Sequence, residues 1–282
     1  MTSIYRTEAG GREVRRRYEE SLAAWPVPAE HVRVPTREGE TFVVASGPAG
    51  APPVVLLHGS GANTLAWQEQ AEAWAGEYRT YAVDLIGEPG LSAPSRPELG
   101  SPALAAWLDD VLDGLGITAA VVVGMSLGGW FALDYAIRRP ERVRRLVLLC
   151  PGGLGRQRYG VLLATAPLRL LGRRGLRWSA QRVTGLTAAQ VRPVLDALVL
   201  TFTHFKPRTE RLPVFPDDAL RGLPMPVLVI AGARDAMFDT ADTARRTRTH
   251  IPDATVTVLP DTGHAILGQT AAITAFLTRA RT

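Results

Sequence analysis

The chain has 282 residues, enough for one large core or for a core with an inserted subdomain. Its 46% hydrophobic content is that of a globular protein, and no run of about 18 apolar residues offers a membrane span. The formal net charge is +5, and 11 basic against 4 acidic residues lie between Pro151 and Leu220. That local excess reads as a solvated face or as a basic lid over a site for anionic substrates, because it lacks the interleaved aromatic and basic pattern of a nucleic-acid reader. Met1 to Arg17 is charged without an apolar centre, so it is not expected to be a secretory signal. The lone Cys150 ends the apolar run Leu146-Val147-Leu148-Leu149 and is expected to be a buried strand residue. These features together fit a reducing cytoplasm.

In chain order, residues 1–30 read as a leader, with a short amphipathic helix from Glu13 to Ala24 ended by Pro26 and Pro28. His31 to Pro35 and Glu40 to Ser46 alternate like two strands, with a turn near Arg37-Glu38-Gly39. Val54-Val55-Leu56-Leu57 is wholly apolar and bounded by glycines and prolines, the mark of a strand buried on both faces. A helix is expected over Thr64 to Tyr78, a strand over Thr80 to Leu85, and a tight loop over Gly87-Glu88-Pro89-Gly90-Leu91-Ser92. Leu104, Trp107, Leu108, Val111, Leu112 and Leu115 repeat at helical spacing within Ala103 to Leu115. A strand through Val121-Val122-Val123, a helix from Gly128 to Arg139 and a strand from Val143 to Cys150 follow. Such alternation points to an α/β fold with a mainly parallel central sheet flanked by helices.

Between Pro151 and Leu223 the rhythm breaks into helical pieces: Tyr159 to Leu171, Leu176 to Val183 and Ala188 to His204. Residues 151–223 are therefore expected to be a helical cap, inserted into a core formed by 31–150 and 224–282. Its apolar residues, Val161-Leu162-Leu163, Leu168, Leu170-Leu171, Val194-Leu195 and Leu198-Val199-Leu200, are expected to pack on the sheet, with some walling an apolar pocket. Strands return at Val227 to Ala231 and Thr255 to Leu259, and helices at Thr240 to Thr249 and Ala271 to Arg279.

The chemistry centres on Gly124-Met125-Ser126-Leu127-Gly128. A strand that turns sharply into a helix at Gly-x-Ser-x-Gly strains the serine backbone and presents its hydroxyl at the strand end. Such a hydroxyl needs a base, and the base needs an orienting carboxylate. Asp235 follows the strand Val227 to Ala231, and His264 follows the strand Thr255 to Leu259. In a parallel sheet all three side chains reach the same edge, where ligands bind in open α/β sheets. Asp239 is the rival carboxylate, expected inside or capping the next helix. His31, His204 and His250 lack the strand-end context, although His204 could line the site from the cap. The backbone N–H of Leu127, with that of Ser60 or Gly61, offers donors for an oxyanion, and His58 is expected to orient that loop.

The set His58-Gly59-Ser60-Gly61, Asp84 to Ser92, Gly124 to Gly129, Gly232-Ala233-Arg234-Asp235 and Gly263-His264 resembles the α/β-hydrolase superfamily. The closest flavour is that of bacterial serine esterases and carboxylesterases with a helical cap. The resemblance implies Ser126 as nucleophile, His264 as base, Asp235 as orienting acid, Ser60 and Leu127 as oxyanion hole, and no metal or organic cofactor. Serine at position 126 disfavours the relatives that use an aspartate nucleophile. One departure is Gly87-Glu88-Pro89-Gly90, where many members carry Gly-His-Gly or Gly-Phe-Gly.

The expected activity is hydrolysis of a carboxylic ester or related acyl bond of a small molecule, with neither nucleic acid nor a membrane as partner and the oligomeric state open. The same residues also serve C–C bond hydrolysis beside a ketone, acyl transfer, proline iminopeptidase and cofactor-free haloperoxidase chemistry. A ligand-binding protein on the same fold is the alternative from another class.

Overall fold

The structure, a computed structural model, describes residues 3–158, 160–191 and 195–279. Among these the strands are β1 (Ala29–Thr36), β2 (Gly39–Ser46), β3 (Pro53–Leu57), β4 (Arg79–Val83), β5 (Ala120–Met125), β6 (Val143–Leu149), β7 (Val227–Gly232) and β8 (Ala254–Leu259). They form one sheet in the order β1-β2-β4-β3-β5-β6-β7-β8. β2 runs antiparallel to both β1 and β4. Every other pairing is parallel. The helices are α1 (Glu8–Leu22), α2 (Gln68–Trp74), α3 (Ala103–Gly114), α4 (Leu127–Arg138), α5 (Gly160–Thr165), α6 (Gly172–Thr184), α7 (Ala188–Val191), α8 (Leu195–His204), α9 (Asp217–Arg221), α10 (Thr240–His250) and α11 (Thr270–Thr278).

Apolar strands follow from a sheet with a core on each face. Val55, Leu57, Val122, Val227 and Val229 enter one core with Trp107 and Leu108 of α3 and Trp130 and Phe131 of α4. Their neighbours Val54, Leu56, Val121, Val123, Leu228 and Ile230 enter the other, with Tyr18 of α1, Trp74 of α2 and Ile273 and Phe276 of α11. A strand with period-two side chains and two apolar partners has no position left for a polar residue.

The N-terminal segment packs on the body of the protein where the structure describes it. α1 begins at Glu8, five residues before the expected start, with the Thr7 hydroxyl accepting from the Gly10 amide at 3.1 Å. Gly10 and Gly11 weaken the helical signal but are required by packing. A Cβ on Gly10 would strike the His204 ring, and one on Gly11 would meet the Tyr5 ring at 2.8 Å. Tyr18 donates to Asp84 Oδ1 at 3.0 Å and lies 2.6 Å from the Thr64 hydroxyl. The helix expected over Thr64 to Tyr78 divides into a 3-10 turn, Thr64–Trp67, and α2. Cys150 is buried as expected, but it lies one residue past β6 with φ +40°, its amide donating to Ile230 O at 2.8 Å.

The helical cap is α5 to α8, with a 3-10 turn at Ala166–Leu171 between α5 and α6. Tyr159 and Val194, named above as cap residues, lie outside the described residues, as do the side chains of Leu162 and Leu163. Leu170 and Leu171 are 90% and 55% exposed, which corrects the expectation that they pack on the sheet: the turn that carries them faces solvent. Val199 is buried, and Leu200 packs beside Ile4, Tyr5, Val14 and Phe205, so α8 rests on the N-terminal segment. Beyond α8 the chain returns to the core. Phe215, Leu220 and Leu223 join the core beside α3 and α4, and α9, which has no counterpart in the sequence reading, is tied to α10 by Asp217 and Arg246.

Candidate active site

Ser126 sits between β5 and α4 with φ +53°, one of two described non-glycine residues in the left-handed region. That conformation is costly, and the surrounding packing imposes it. A Cβ on Gly124 would run into the Gly128 carbonyl and, at 2.7 Å, the Gly129 Cα; one on Gly128 would collide with the Leu57 carbonyl. Those two glycines let α4 lie directly against β3 and β5, so the turn is tight. The Ser126 amide donates to Leu149 O at 2.9 Å, and its carbonyl accepts from Trp130 N at 3.0 Å as the first turn of α4 closes.

The remaining partners arrive from adjacent strands. Asp235 follows β7 and is buried, 3% exposed. Its Oδ1 accepts from the amides of Met237 and Phe238 at 2.7 and 3.1 Å, leaving Oδ2 for His264 Nδ1 at 2.8 Å. His264 follows β8, and its Nε2 lies 2.9 Å from Ser126 Oγ. The Phe238 ring lies against the imidazole at a centroid distance of 5.4 Å. The three residues form one continuous hydrogen-bonded chain, with Nδ1 donating to the carboxylate and Nε2 free to accept from the hydroxyl. A Cβ on Gly232 would collide with the Thr262 and Gly263 carbonyls, so this glycine lets the Asp235 and His264 loops touch.

Other candidates are engaged elsewhere. Asp239 caps α10, accepting from Asp242 N at 3.1 Å, and that bond together with Arg158 and Arg156 holds its carboxyl below the usual range. His204 turns toward Gly10 of α1, His31 packs edge-on against Phe42, and His250 lies 3.3 Å from Asp217.

The loop after β3 lies beside Ser126 because β3 and β5 are neighbours in the sheet. A Cβ on Gly59 would stand 3.5 Å from Ser126 Cβ. His58 is fully buried: Leu85 N donates to its Nε2 at 3.0 Å, and its Nδ1 donates to Gly59 O at 2.8 Å. Burial lowers its pKa to about 4, so it stays neutral and holds the ends of β3 and β4 together. Gly61 is excluded as the second donor, since its amide is spent on Glu88 Oε2 at 2.6 Å. Among the described residues neither Ser60 N–H nor Leu127 N–H donates within the chain. The Phe202 ring of α8 covers this loop, 2.5 Å from where a Cβ on Gly61 would stand.

Sequence reasoning missed Glu88, Tyr18 and Phe202. The departing Gly-Glu-Pro-Gly loop was the one signal for Glu88, and nothing along the chain announces the long-range partners of the other two. A cleft of about 500 Å³ in the cap, lined by Ala164, Leu168, Trp178, Gln181 and Arg182, includes none of the three hydrogen-bonded residues. Among the described residues no group of three or more His, Cys, Asp or Glu is arranged to hold a metal.

Residues 54–276 match the model of the alpha/beta hydrolase family. The chain belongs to that family. This α/β hydrolase is 32% identical over 257 residues to the carboxylesterase YbfK of Bacillus subtilis, covering 88% of this chain and 86% of that protein. It is also 32% identical to the uncharacterized carboxylesterase nap of the same organism, over 88% of this chain and 85% of the relative. The crystal structure of the Bacillus subtilis carboxylesterase CesB (YbfK) superposes with a TM-score of 0.83 at 30% identity, covering 95% of this chain and 97% of that one. That of the Bacillus subtilis naproxen esterase gives 0.81 at 30% identity, over 96% and 98%. The protein is thus a carboxylesterase-like α/β-hydrolase enzyme with a helical cap over a mostly parallel sheet. No helix of the described residues is long and apolar enough to cross a membrane.

Proposed function

We propose that this enzyme hydrolyses carboxylic esters of small molecules through an acyl-enzyme on Ser126. The observation that carries the reading is the unbroken chain Ser126 Oγ–His264 Nε2–His264 Nδ1–Asp235 Oδ2, with links of 2.9 and 2.8 Å. His264 removes the hydroxyl proton as Oγ attacks the ester carbonyl carbon, and Asp235 steadies the imidazolium that forms. The negative charge passing to the carbonyl oxygen is met by Ser60 N–H and Leu127 N–H, the latter at the positive end of α4. Each such donor is worth about 3 kcal/mol in the transition state. His264 then protonates the departing alkoxide, and water repeats the sequence to release the acid and free Ser126.

We assign the catalytic core to residues 31–150 and 224–282 and substrate selection to the insertion between them. Phe202, a cap side chain against the oxyanion loop, is placed to touch an acyl group. The 32% identity to two carboxylesterases over most of this chain favours ester hydrolysis over the other reactions available to the same residues. A cytoplasmic location is part of the same reading, carried by the lone cysteine.

A panel of p-nitrophenyl esters tests the assignment. Turnover of short or medium acyl chains, abolished by Ser126→Ala, is the expected outcome. Absence of turnover across the panel, with wild-type protein folded, removes a general esterase.

A further inference from the structure

Glu88 is a buried acid that the mechanism does not use. It is fully buried in the loop after β4, a loop whose sequence departs from the pattern of many family members. Its Oε2 accepts two hydrogen bonds from the neighbouring loop, from Ser60 Oγ at 3.1 Å and Gly61 N at 2.6 Å. Its Oε1 is buried without a hydrogen-bond partner among the described residues. Burial raises its pKa to about 7, with Arg96 and Arg208 pulling the other way. Removing a carboxylate from water costs free energy unless strong partners replace the solvent. Neither arginine is within ion-pair distance: Arg96 is spent on the Gly87 and Lys206 carbonyls, and Arg208 pairs with Glu210. Tyr5, in the segment before α1, also feels its charge. Stability alone therefore gives no reason for an acid here.

Placement supplies one. Two successive amides in a turn point in different directions, and a loop tip with two glycines has freedom to rotate either toward the substrate. Glu88 takes the Gly61 amide and the Ser60 hydroxyl from behind, and the Ser60 N–H is left without an acceptor among the described residues. A single side-chain oxygen that accepts from both groups ties the two residues to one fixed point. Arg96 holds the Glu88 loop in turn: its Nε and Nη2 donate to Gly87 O at 3.0 and 2.8 Å, and Nη2 reaches Lys206 O at 2.7 Å, just past α8.

We propose that Glu88 is the positioning residue of the oxyanion loop: its carboxylate anchors Ser60 and Gly61 so that the Ser60 N–H faces the developing oxyanion. This rests on the acyl-enzyme reading above. Because the donor acts on charge that exists only in the transition state, the loss appears in kcat and not in KM.

The test is steady-state hydrolysis of p-nitrophenyl acetate by wild type, Glu88→Ala, Glu88→Gln and Ser126→Ala, each checked for folding by its thermal midpoint. Glu88→Ala is expected to lower kcat about 10- to 100-fold, less than outright loss of an oxyanion donor, with KM within about twofold of wild type. Glu88→Gln is expected to recover most of that kcat, since its amide oxygen still accepts both hydrogen bonds, whatever its midpoint. Unchanged kcat in Glu88→Ala overturns the proposal, as does a Glu88→Gln enzyme no better than Glu88→Ala. Should Glu88→Ala not fold, Ser60→Ala takes its place: it removes one of the two anchors while keeping the backbone N–H, and a kcat equal to wild type overturns the proposal. Inactive Ser126→Ala beside unimpaired Glu88 variants removes only the role of Glu88, whereas active Ser126→Ala removes the acyl-enzyme reading itself.

Discussion

Apolar runs meet different fates in two parts of this molecule: Val54 to Leu57 of β3 are all 0% exposed, whereas Leu170 and Leu171 in the cap are 90% and 55% exposed. The strand has a core on each face, so each side chain along it has a partner. The cap turn has the body of the protein on one side only. In the proposed mechanism the reacting groups stand at the ends of strands of the first kind, and the cap, of the second kind, selects the substrate. A rigid, doubly buried strand end can hold a side chain to a fraction of an ångström, as the proposed mechanism requires of Ser126.

Asp235→Asn gives the largest contrast between the two regions. The fold is expected to survive, since Asn keeps an oxygen for the Met237 and Phe238 amides, but the histidine loses its orienting carboxylate. A fall in kcat of about 10⁴-fold is expected, measured on the best p-nitrophenyl ester. A fall below about tenfold would mean that another carboxylate supports His264. Next comes a paired stability comparison by urea denaturation. Leu56→Ala removes a fully buried side chain and is expected to cost about 3–4 kcal/mol. Leu170→Ala removes a side chain 90% exposed and is expected to change stability by less than about 0.5 kcal/mol. Equal costs would show that the cap turn is packed in solution and would erase the distinction between the two regions.

The same contrast explains what could be read along the chain. Val54-Leu57, Val121-Val123 and Val227-Ala231 announce doubly buried strands because nothing polar interrupts them, and Ser126, Asp235 and His264 each stand just beyond a strand. Relations across the fold left no local mark. The start of α1 was hidden because Gly10 and Gly11 depress helix propensity, and only the rings of His204 and Tyr5 explain them. α9 spans five residues, too few to display a helical period. The apolar cap residues look alike in sequence, yet Val199 is 6% exposed and Leu170 90%. Glu88 was visible only as a break in a family pattern, because its partners Ser60 and Gly61 lie 28 and 27 positions away.

The central claim is that Ser126, made nucleophilic by His264 and Asp235, takes up the acyl group. Labelling the folded protein with a fluorophosphonate and mapping the modified peptide tests it directly. The account predicts a single adduct on Ser126, absent from Ser126→Ala and formed far more slowly in His264→Ala. A label that persists in Ser126→Ala, or that maps to another residue in the wild type, contradicts it.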